Sequence, residues 1–314
     1  MLAELARRDG VIAFDLFGDL DLRRMARVVK RENLTALVDA AMEEEPGEVI
    51  YGASFENHPT LVERLAERHT LLGNPPEVLR AVRDPARLAA VLGDSYARST
   101  FTPPSSGRWL RKPLRGGGGI RVREWRGGAL PAGTFLQERI DGVPCSVAAI
   151  GDGKDAVVLG LSEQLVGERA FGVRGHRWCG NLVPPRVPVP LDQPQAICSR
   201  LAAAFGLRGP FGVDFIWDGE RAWTIEVNPR PTDSLEVIQP ARAAGKAVLF
   251  ATEDLVVDSE GWLERGVRDV PHPGERIANG RPICTIVTTA ATPEEALAAL
   301  EAEAAALLEV AVCG

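Results

Sequence analysis

Two apolar segments joined by Asp218-Gly219 constrain the fold of this chain more than any other feature. Residues 211–217 and 222–227 are rich in Phe, Val, Ile and Trp, which favour strands, and Asp-Gly is a preferred pair in hairpin turns. The sequence therefore predicts an antiparallel hairpin. Further strand-like segments occur at 109–112, 134–140, 146–150 and 156–161.

Polar side chains interrupt this hairpin at three positions. Asp214 lies on the first predicted strand, and Glu226 and Asn228 lie two residues apart on the second, so both point to the same face. Burying acidic and amide groups among apolar neighbours is costly without a cation. Because Mg²⁺ prefers one or two carboxylates plus the phosphates of a nucleotide, the pattern predicts a magnesium site. The alternative is an Asp- and Asn-rich turn with incidental carboxylates.

A lysine followed by a glycine run forms a second pattern. Lys112 ends a predicted strand, and the next glycines are Gly116, Gly117, Gly118 and Gly119. Glycine lets backbone N–H groups close over phosphate oxygens, and a nearby lysine adds a positive charge. A Walker loop would need Gly-Lys-Ser/Thr before a helix, which this segment lacks. The alternative is a flexible hairpin with a surface lysine.

Two further segments have weaker patterns. At the end of the strand predicted over 134–140, backbone groups can pair with the edge of adenine; a polar edge strand is the alternative. The polar and aromatic stretch from 161 to 181 suits contact with a substrate, because loops on a rigid scaffold carry specificity. Its candidate substrate residues are Glu163, Gln164, Arg174 and Asn181, and the alternative is that they are ordinary loop residues.

The chain is expected to be α/β and to have three parts, residues 1–75, 76–250 and 251–314. In the first part, short apolar runs alternate with amphipathic helices, which predicts a parallel α/β unit. Because Leu2, Leu5 and Ala6 predict a helix at the start, the strand that normally opens such a unit is expected to be missing from this sequence. The sheet edge beside the strand at 11–17 would then be open or covered by a partner. A second helix is predicted through Leu22, Met25, Ala26 and Val29.

Proline and glycine divide the rest of the chain. Gly73-Asn74-Pro75-Pro76 marks the first boundary, and the prolines between 180 and 194 predict an extended connector. A helix is predicted from Gln195 to Phe205. The tail is expected to pack back on the core through a strand at 283–288 and a helix that starts after Thr292-Pro293.

Composition argues against several classes of protein. The net charge of −7, with Lys and Arg scattered along the chain, argues against general affinity for nucleic acid. No apolar run approaches the roughly 18 residues that span a bilayer, and the N-terminus has no signal-peptide core, so we expect a cytoplasmic protein that does not enter membranes. The five cysteines are widely spaced, which argues against a zinc site and a disulfide framework.

The order of the motifs resembles the ATP-grasp superfamily of carboxylate–amine ligases. The resemblance rests on the lysine and glycine segment, the strand at 134–140 and the Glu-x-Asn-Pro-Arg element at 226–230. It covers about residues 76–250. It implies an ATP-grasp fold in that part, preceded by a truncated Rossmann-like domain. The segments Asp15 to Asp19, Tyr51 to Glu56 and Gly280 to Thr285 are most similar to the subgroup with the tyramine–glutamate ligase of methanofuran-type cofactor biosynthesis.

The resemblance implies a role for each motif. ATP would be bound by Lys112, by the mobile loop of Gly116 to Gly119 and by the hinge residues Gln137, Glu138, Arg139 and Ile140. Glu138 and Ile140 would pair with adenine through the backbone. Asp214, Glu226 and Asn228 would hold Mg²⁺ or Mn²⁺. Arg230 and Lys112 would be catalytic, with Arg230 steadying the acyl-phosphate.

The sequence departs from many relatives in two places. After the hinge, where many relatives have an acidic residue for the ribose hydroxyls, Ser146 is the candidate substitute. In the helical half, where many relatives have an earlier lysine, this chain has Arg83 and Arg87 around Asp84-Pro85.

The implied reaction joins a carboxylate, with glutamate as one option, to an amine through an acyl-phosphate and releases ADP and phosphate. The substrate carboxylate attacks the γ-phosphate itself, so catalysis consists of positioning and charge neutralisation. The implied partners are small-molecule acids and amines, with a homodimer as a further option. Two alternatives stay open: a kinase that stops at a phosphorylated product, and a non-catalytic ATP-binding regulatory protein.

Overall fold

The computed structural model describes residues 10–238 and 242–311 of the chain. The helix predicted from Leu2, Leu5 and Ala6, and the question of a strand before it, lie outside the described residues.

Short parallel strand pairs and helices alternate in the N-terminal part, as the sequence predicts. The pairs are β1 (Ile12–Asp15) with β2 (Arg27–Lys30) and β3 (Glu48–Val49) with β4 (Thr70–Leu71). The helices between them are α1 (Leu20–Met25), α2 (Leu34–Glu43) and α3 (Pro59–Ala66). The helix predicted to continue through Ala26 and Val29 is wrong beyond Met25, because Ala26 is extended and Val29 pairs with Phe14. Consecutive β-branched residues here favour the strand.

Two short helices and a four-stranded sheet follow. The helices are α4 (Pro76–Val82) and α5 (Pro85–Leu92). Each begins with proline, whose missing N–H costs nothing in the first turn, and Asp84 caps α5 by accepting from Ala86 N at 2.8 Å. The strands are β5 (Ser99–Thr100), β6 (Trp109–Pro113), β7 (Arg123–Glu124) and β8 (Thr134–Glu138), in the spatial order β5-β8-β6-β7.

The largest sheet has seven antiparallel strands. They are β9 (Val143–Asp152), β10 (Ala156–Val166), β11 (Trp178–Val183), β12 (Arg208–Trp217), β13 (Ala222–Asn228), β14 (Ala243–Phe250) and β17 (Pro282–Ala290), in the spatial order β13-β12-β9-β10-β11-β14-β17. Between β14 and β17, β15 (Leu255–Val257) pairs with β16 (Glu275–Ile277). The hairpin predicted around Asp218-Gly219 is confirmed as β12 and β13.

Two long helices cover one face of this sheet. Helix α6 (Asp192–Phe205) packs on β9 and β10, and α7 (Pro293–Ala311) packs on β14 and β17. Fully buried side chains from both layers form the core, including Leu201 of α6 against Phe211 and Phe215 of the sheet, and Leu300 of α7 against Leu249. Thr292 caps α7 as predicted, its hydroxyl accepting from Glu295 N at 3.2 Å. These two helices leave the opposite face of the sheet uncovered.

The extended connector predicted over 180–194 is wrong at both ends. Gly180 to Val183 belong to β11, and Asp192 to Pro194 form the first turn of α6. A Cβ on Gly180 would collide with the carbonyl oxygen of Lys246, so glycine is what lets β11 approach β14. Pro194 fits the first turn of a helix, where the N–H groups have no intrahelical partner.

The cysteines carry no cross-link in the described residues. Cys145, Cys179, Cys198 and Cys284 are buried free thiols, and Cys313 lies outside the described residues. Along 10–238 and 242–311, no helix combines the length and apolar character that crossing a membrane would need.

Candidate functional site

Lys112 lies where the four-stranded and seven-stranded sheets meet. From β6, its Nζ donates to Gln137 Oε1 on β8 at 3.0 Å and to the carbonyl oxygen of Ile225 on β13 at 3.3 Å. The Nε2 of Gln137 donates to the same carbonyl at 3.3 Å. Burial lowers the pKa of Lys112, although Glu226 works against the shift. The predicted phosphate lysine is thus next to the hairpin of predicted metal ligands.

Asp214, Glu226 and Asn228 share one face of the β12–β13 hairpin. Asp214 lies directly opposite Glu226, and Asn228 Nδ2 donates to Asp214 Oδ2 at 3.2 Å. Burial, reinforced by Glu226, raises the pKa of Asp214 to about 6. Burial also opposes ionisation of Glu226, but Arg83 and Lys112 outweigh it and hold the pKa of Glu226 below its ordinary value.

The donor set fits magnesium rather than a metal held by protein alone. No three His, Cys, Asp or Glu side chains in the described part of the chain converge on one point. A cation here would have the carboxylates of Asp214 and Glu226, the amide oxygen of Asn228 and ligands from outside the protein. Hard oxygen ligands from few side chains, completed by phosphates and water, are what Mg²⁺ takes in nucleotide sites.

Arg230 is held by a carboxylate from the N-terminal part of the chain. Its Nη2 and Nε donate to Glu56 Oε1 and Oε2 at 3.0 Å and 3.2 Å. The Glu56 and Arg230 side chains are only 2% and 12% exposed. Burial opposes the charge on Arg230, but Glu56 outweighs it and raises the pKa of the guanidinium.

The glycine loop is fixed at both ends. At its start, Gly116 N donates to Asn57 Oδ1 at 2.9 Å, and Gly116 O accepts from Arg83 Nη2 at 2.8 Å. Farther along, Gly118 O accepts from Trp178 N at 3.1 Å. Gly119 has a φ of +69° and packs so closely on the carbonyl of His176 that a Cβ there would collide. Gly117 lies between these contacts, with open space around the position of a Cβ.

The predicted hinge is tied to its neighbours by backbone and side-chain bonds. Glu138 N donates to the carbonyl of Arg98 at 2.8 Å. The Arg98 guanidinium donates two hydrogen bonds, at 2.6 Å and 2.7 Å, to the Glu138 carboxylate, and this pairing lowers the pKa of Glu138. Arg139 N donates to Arg108 O at 2.8 Å, and its side chain pairs with Glu124. Ile140 follows β8 and is half-buried. Adenine pairing at Glu138 and Ile140 stays a prediction.

Ser146, the residue predicted to contact the ribose, lies on the seven-stranded sheet. It is buried on β9 directly opposite Asp214, whose carboxylate it approaches. The predicted ribose contact therefore stays a prediction. Arg87 lies in the first turn of α5, and its N–H is capped by Asp84 at 3.3 Å.

A row of polar side chains crosses the face of the seven-stranded sheet that α6 and α7 leave uncovered. Residues directly opposite each other share a face, and so do residues two apart. By register, the row runs from β13 to β14 through Glu226, Asp214, Ser146, Ser162, Gln164, Asn181 and Lys246. Asn181 Nδ2 donates to Ser162 Oγ at 2.9 Å. This bond links the part of the row on β13, β12, β9 and β10 to the part on β11 and β14.

The four predicted substrate residues divide according to this row. Gln164 and Asn181 lie on the same face as the predicted metal ligands. Glu163 points to the other face, where its buried carboxylate accepts from Arg186 N and Nε, both at 3.0 Å. Arg174 is exposed in the loop between β10 and β11. The structure thus brings two of the four residues to the site.

Four residues of the site were not predicted from the sequence as part of it. Glu56 and Asn57 come from the 3-10 turn Phe55–Asn57, and Tyr51 to Glu56 was notable only as a subgroup resemblance. Lys246 lies on β14, with Nζ 3.0 Å from both Asp233 Oδ1 and Glu236 Oε2. Arg83 was noted only where many relatives have an earlier lysine, and its bond to Glu226 has no local signal because 143 residues separate the two.

Part of this arrangement matches a known domain family. Residues 85–234 match the family described as the ATP-grasp domain. The chain contains an ATP-grasp domain. The match covers Lys112, the glycine loop, the hinge and the hairpin of Asp214, Glu226 and Asn228. The predicted ATP-grasp fold is confirmed.

Among characterised relatives, the carbamoyl phosphate synthase large chain of Thermus thermophilus is 33% identical over 129 residues, which are 41% of this chain and 12% of the relative. This chain therefore corresponds to a small part of that protein. Two solved structures share the ATP-grasp fold over nearly the whole chain. The L-amino acid ligase of Bacillus licheniformis has a TM-score of 0.66 at 15% identity, covering 98% of this chain and 94% of the ligase.

The second structure is the biotin carboxylase domain dimer of the Hydrogenobacter thermophilus 2-oxoglutarate carboxylase. Its TM-score is 0.67 at 15% identity, covering 95% of this chain and 84% of the domain. At such low identity, both likenesses establish the fold of the ATP-grasp domain and its flanking parts.

Proposed function

We propose that this protein is an ATP- and magnesium-dependent ligase that joins a carboxylate to an amine. The observation that carries the proposal is the convergence of Lys112, the Asp214–Glu226 pair and Asn228 at the junction of two sheets. Lys112 Nζ lies 3.3 Å from the carbonyl of Ile225, the residue before Glu226. A lysine cation beside two carboxylates suits a nucleoside triphosphate with its magnesium, because the lysine can bind phosphate and the carboxylates can bind the metal.

The chemistry would proceed in two steps. A carboxylate oxygen of the substrate attacks the γ-phosphorus of ATP, the bond to the β–γ bridging oxygen breaks, and ADP leaves. The amine nitrogen then attacks the acyl carbon, phosphate leaves, and the nitrogen loses a proton. Lys112 would neutralise phosphate charge in the first step, and Arg230 would stabilise the oxyanion in the second. Magnesium, when bound at Asp214, Glu226 and Asn228, would offset the remaining phosphate charge.

The similar proteins support this reading by their names. One is an L-amino acid ligase, and another is a complex with MgADP and bicarbonate. Cofactor biosynthesis in the tyramine–glutamate ligase subgroup remains the finer proposal, so glutamate and tyramine are the first acid and amine to test. The proposed substrate contacts are Asn181 and Gln164, which lie on the same face of the sheet as Asp214 and Glu226.

The deciding experiment measures phosphate release with ATP and Mg²⁺ over a panel of acids and amines, with mass spectrometry of the products. We expect release that depends on both substrates and yields an amide. Hydroxylamine in place of the amine should trap the acyl-phosphate as a hydroxamate. ADP formation with a stable phosphorylated product would favour a kinase, and ATP binding without turnover across the panel would favour a regulatory protein.

A further inference from the structure

Arg83 contacts three separate parts of the candidate site at once. It follows α4, its side chain is 14% exposed, and it donates through Nη1 to Glu226 Oε1. Its Nη2 donates to the carbonyl of Gly116 at 2.8 Å and to Asn57 Oδ1 at 3.2 Å. One guanidinium therefore connects the β12–β13 hairpin, the start of the glycine loop and the 3-10 turn that contains Asn57.

Asn57 completes the hold on Gly116. Its Oδ1 accepts from Gly116 N at 2.9 Å, and its Nδ2 donates to Gly116 O at 3.4 Å. Both backbone polar groups of the first glycine are therefore bound by side chains from outside the loop. Fixing glycine costs more conformational entropy than fixing any other residue, so four consecutive glycines need such contacts to keep one position.

We propose that Arg83 and Asn57 are positioning residues that hold the first glycine of the phosphate loop at a fixed place relative to Glu226. The proposal rests on the function proposed above, because it takes Glu226 as a ligand of the magnesium that accompanies ATP and the glycine loop as a contact of the ATP phosphates. The loop would then close over phosphates that the hairpin has already aligned. The planar fork of Arg83 is needed because a lysine amine cannot reach Glu226, Asn57 and Gly116 in the same geometry.

Arg83 and a bound cation would both interact with the carboxylate of Glu226. Any cation that binds Glu226 must compete with Arg83 for the carboxylate, and a weakened Arg83–Glu226 bond loosens one support of Gly116. Nucleotide with magnesium would thus act on the glycine loop through Arg83 as well as by direct contact. Asn57 would keep its part of the hold throughout, because it bonds Gly116 without touching Glu226.

The test compares Arg83→Lys and Asn57→Ala with Arg80→Lys. Arg80 is the matched control, because it lies on α4 in an exposed ion pair with Glu63, 2.6 Å apart. Hydrogen exchange of the nucleotide-free protein is followed in a peptide that contains Gly116 to Gly119, relative to a peptide from β9. We expect exchange in the loop to become at least about fivefold faster in Arg83→Lys and Asn57→Ala only.

A second readout is the KM for ATP, which should rise at least about fivefold in both variants and stay within about twofold in the control. Loop exchange equal to that of the control, or an equal rise in the loop and in β9, would overturn the proposal, since the residues would then be irrelevant to the loop or merely stabilise the fold. Absence of ATP turnover in the unmodified protein would count against the proposed function, while the exchange comparison still decides whether Arg83 and Asn57 hold the loop.

Discussion

Asp214 and Glu226 lie directly opposite each other on β12 and β13, yet their surroundings shift their pKa values in opposite directions. Burial and the charge of Glu226 raise the pKa of Asp214 to about 6. Burial acts on Glu226 as well, but Arg83 and Lys112 outweigh it and lower the pKa of that carboxyl. Without nucleotide, the pair should therefore hold its negative charge mainly on Glu226 in mildly acidic solution.

Asp214→Asn should stabilise the nucleotide-free protein at neutral pH. The folded-state pKa of Asp214 is raised from 3.8 to about 6, so the folded protein binds this proton more tightly than the unfolded chain does. The free energy of unfolding should therefore fall as pH rises from about 4 to about 6, and the contribution of the protonated carboxyl is lost above that range. Asparagine removes this titration.

Unfolding curves at several pH values check this prediction. We expect Asp214→Asn to exceed the unmodified protein by about 1–2 kcal/mol at pH 7, after allowance for partial exposure, and to lose the decrease between about pH 4 and pH 6. Glu220→Gln, in the exposed turn of the same hairpin, is the control. A variant that is less stable than the unmodified protein at pH 7 would show that Asp214 is favourably ionised.

Glu226→Gln should have the opposite effect on stability. The neutral side chain leaves Arg83 and Lys112 without their shared carboxylate, so the free energy of unfolding without nucleotide should fall by about 1–3 kcal/mol. The stabilisation that ATP with Mg²⁺ gives should also shrink, because a metal ligand has lost its charge. Melting curves with and without ATP and Mg²⁺ measure both effects. Full ATP–Mg²⁺ stabilisation in this variant would end the assignment of Glu226 to a metal site.

The hairpin and the shared face of its polar side chains could be predicted because their signals are local. Alternating apolar residues and the Asp218-Gly219 turn specify β12 and β13, and a two-residue spacing puts Glu226 and Asn228 on one face. The partners of these residues could not be predicted, because no pattern along the chain relates Glu226 to Arg83 or Arg230 to Glu56, which is 174 residues away. Such pairs arise only when the N-terminal part packs against the seven-stranded sheet.

Contacts between residues far apart in the sequence also explain why two secondary-structure predictions were wrong. Prolines near Pro184 and Pro194 suggested one extended connector, but Pro194 sits in the first helical turn and Gly180 in a strand whose partner, β14, begins more than 60 residues later. At β2, the run of apolar residues after α1 matched a helical spacing by chance. Parallel pairing of Val29 with Phe14 decided in favour of a strand.

Lys112→Ala should abolish turnover while leaving the fold intact. The amine is placed by Gln137 and Ile225 where the phosphates are proposed to lie, so its loss should reduce ATP turnover at least about 100-fold. The protein should still fold, with only a modest fall in melting temperature, because relief of the burial cost of the amine offsets part of the interaction lost with Glu226. Lys154→Ala, in the exposed turn between β9 and β10, is the control. Phosphate release at the unmodified rate would contradict the role given to Lys112 and the glycine loop.

The ion pair of Arg230 with Glu56 should matter for both stability and chemistry, and the two contributions can be separated. Glu56→Gln keeps the shape of the side chain but leaves a guanidinium that is only 12% exposed without its counter-charge. We expect the free energy of unfolding to fall by about 2–4 kcal/mol, against less than about 1 kcal/mol for Glu63→Gln in the exposed pair with Arg80. Denaturant unfolding of the two variants gives this comparison.

Removing Arg230 as well should recover part of that loss, because no charge is then left buried. In the double variant of Glu56→Gln and Arg230→Met, the free energy of unfolding should be higher than the sum of the two single changes predicts, by at least about 1 kcal/mol. Its ligase activity should nevertheless remain at least about 100-fold below that of the unmodified protein, since the proposed oxyanion contact is gone. Recovery of stability together with activity would assign Arg230 to the fold alone, and strictly additive losses would show that Glu56 and Arg230 do not act as a pair.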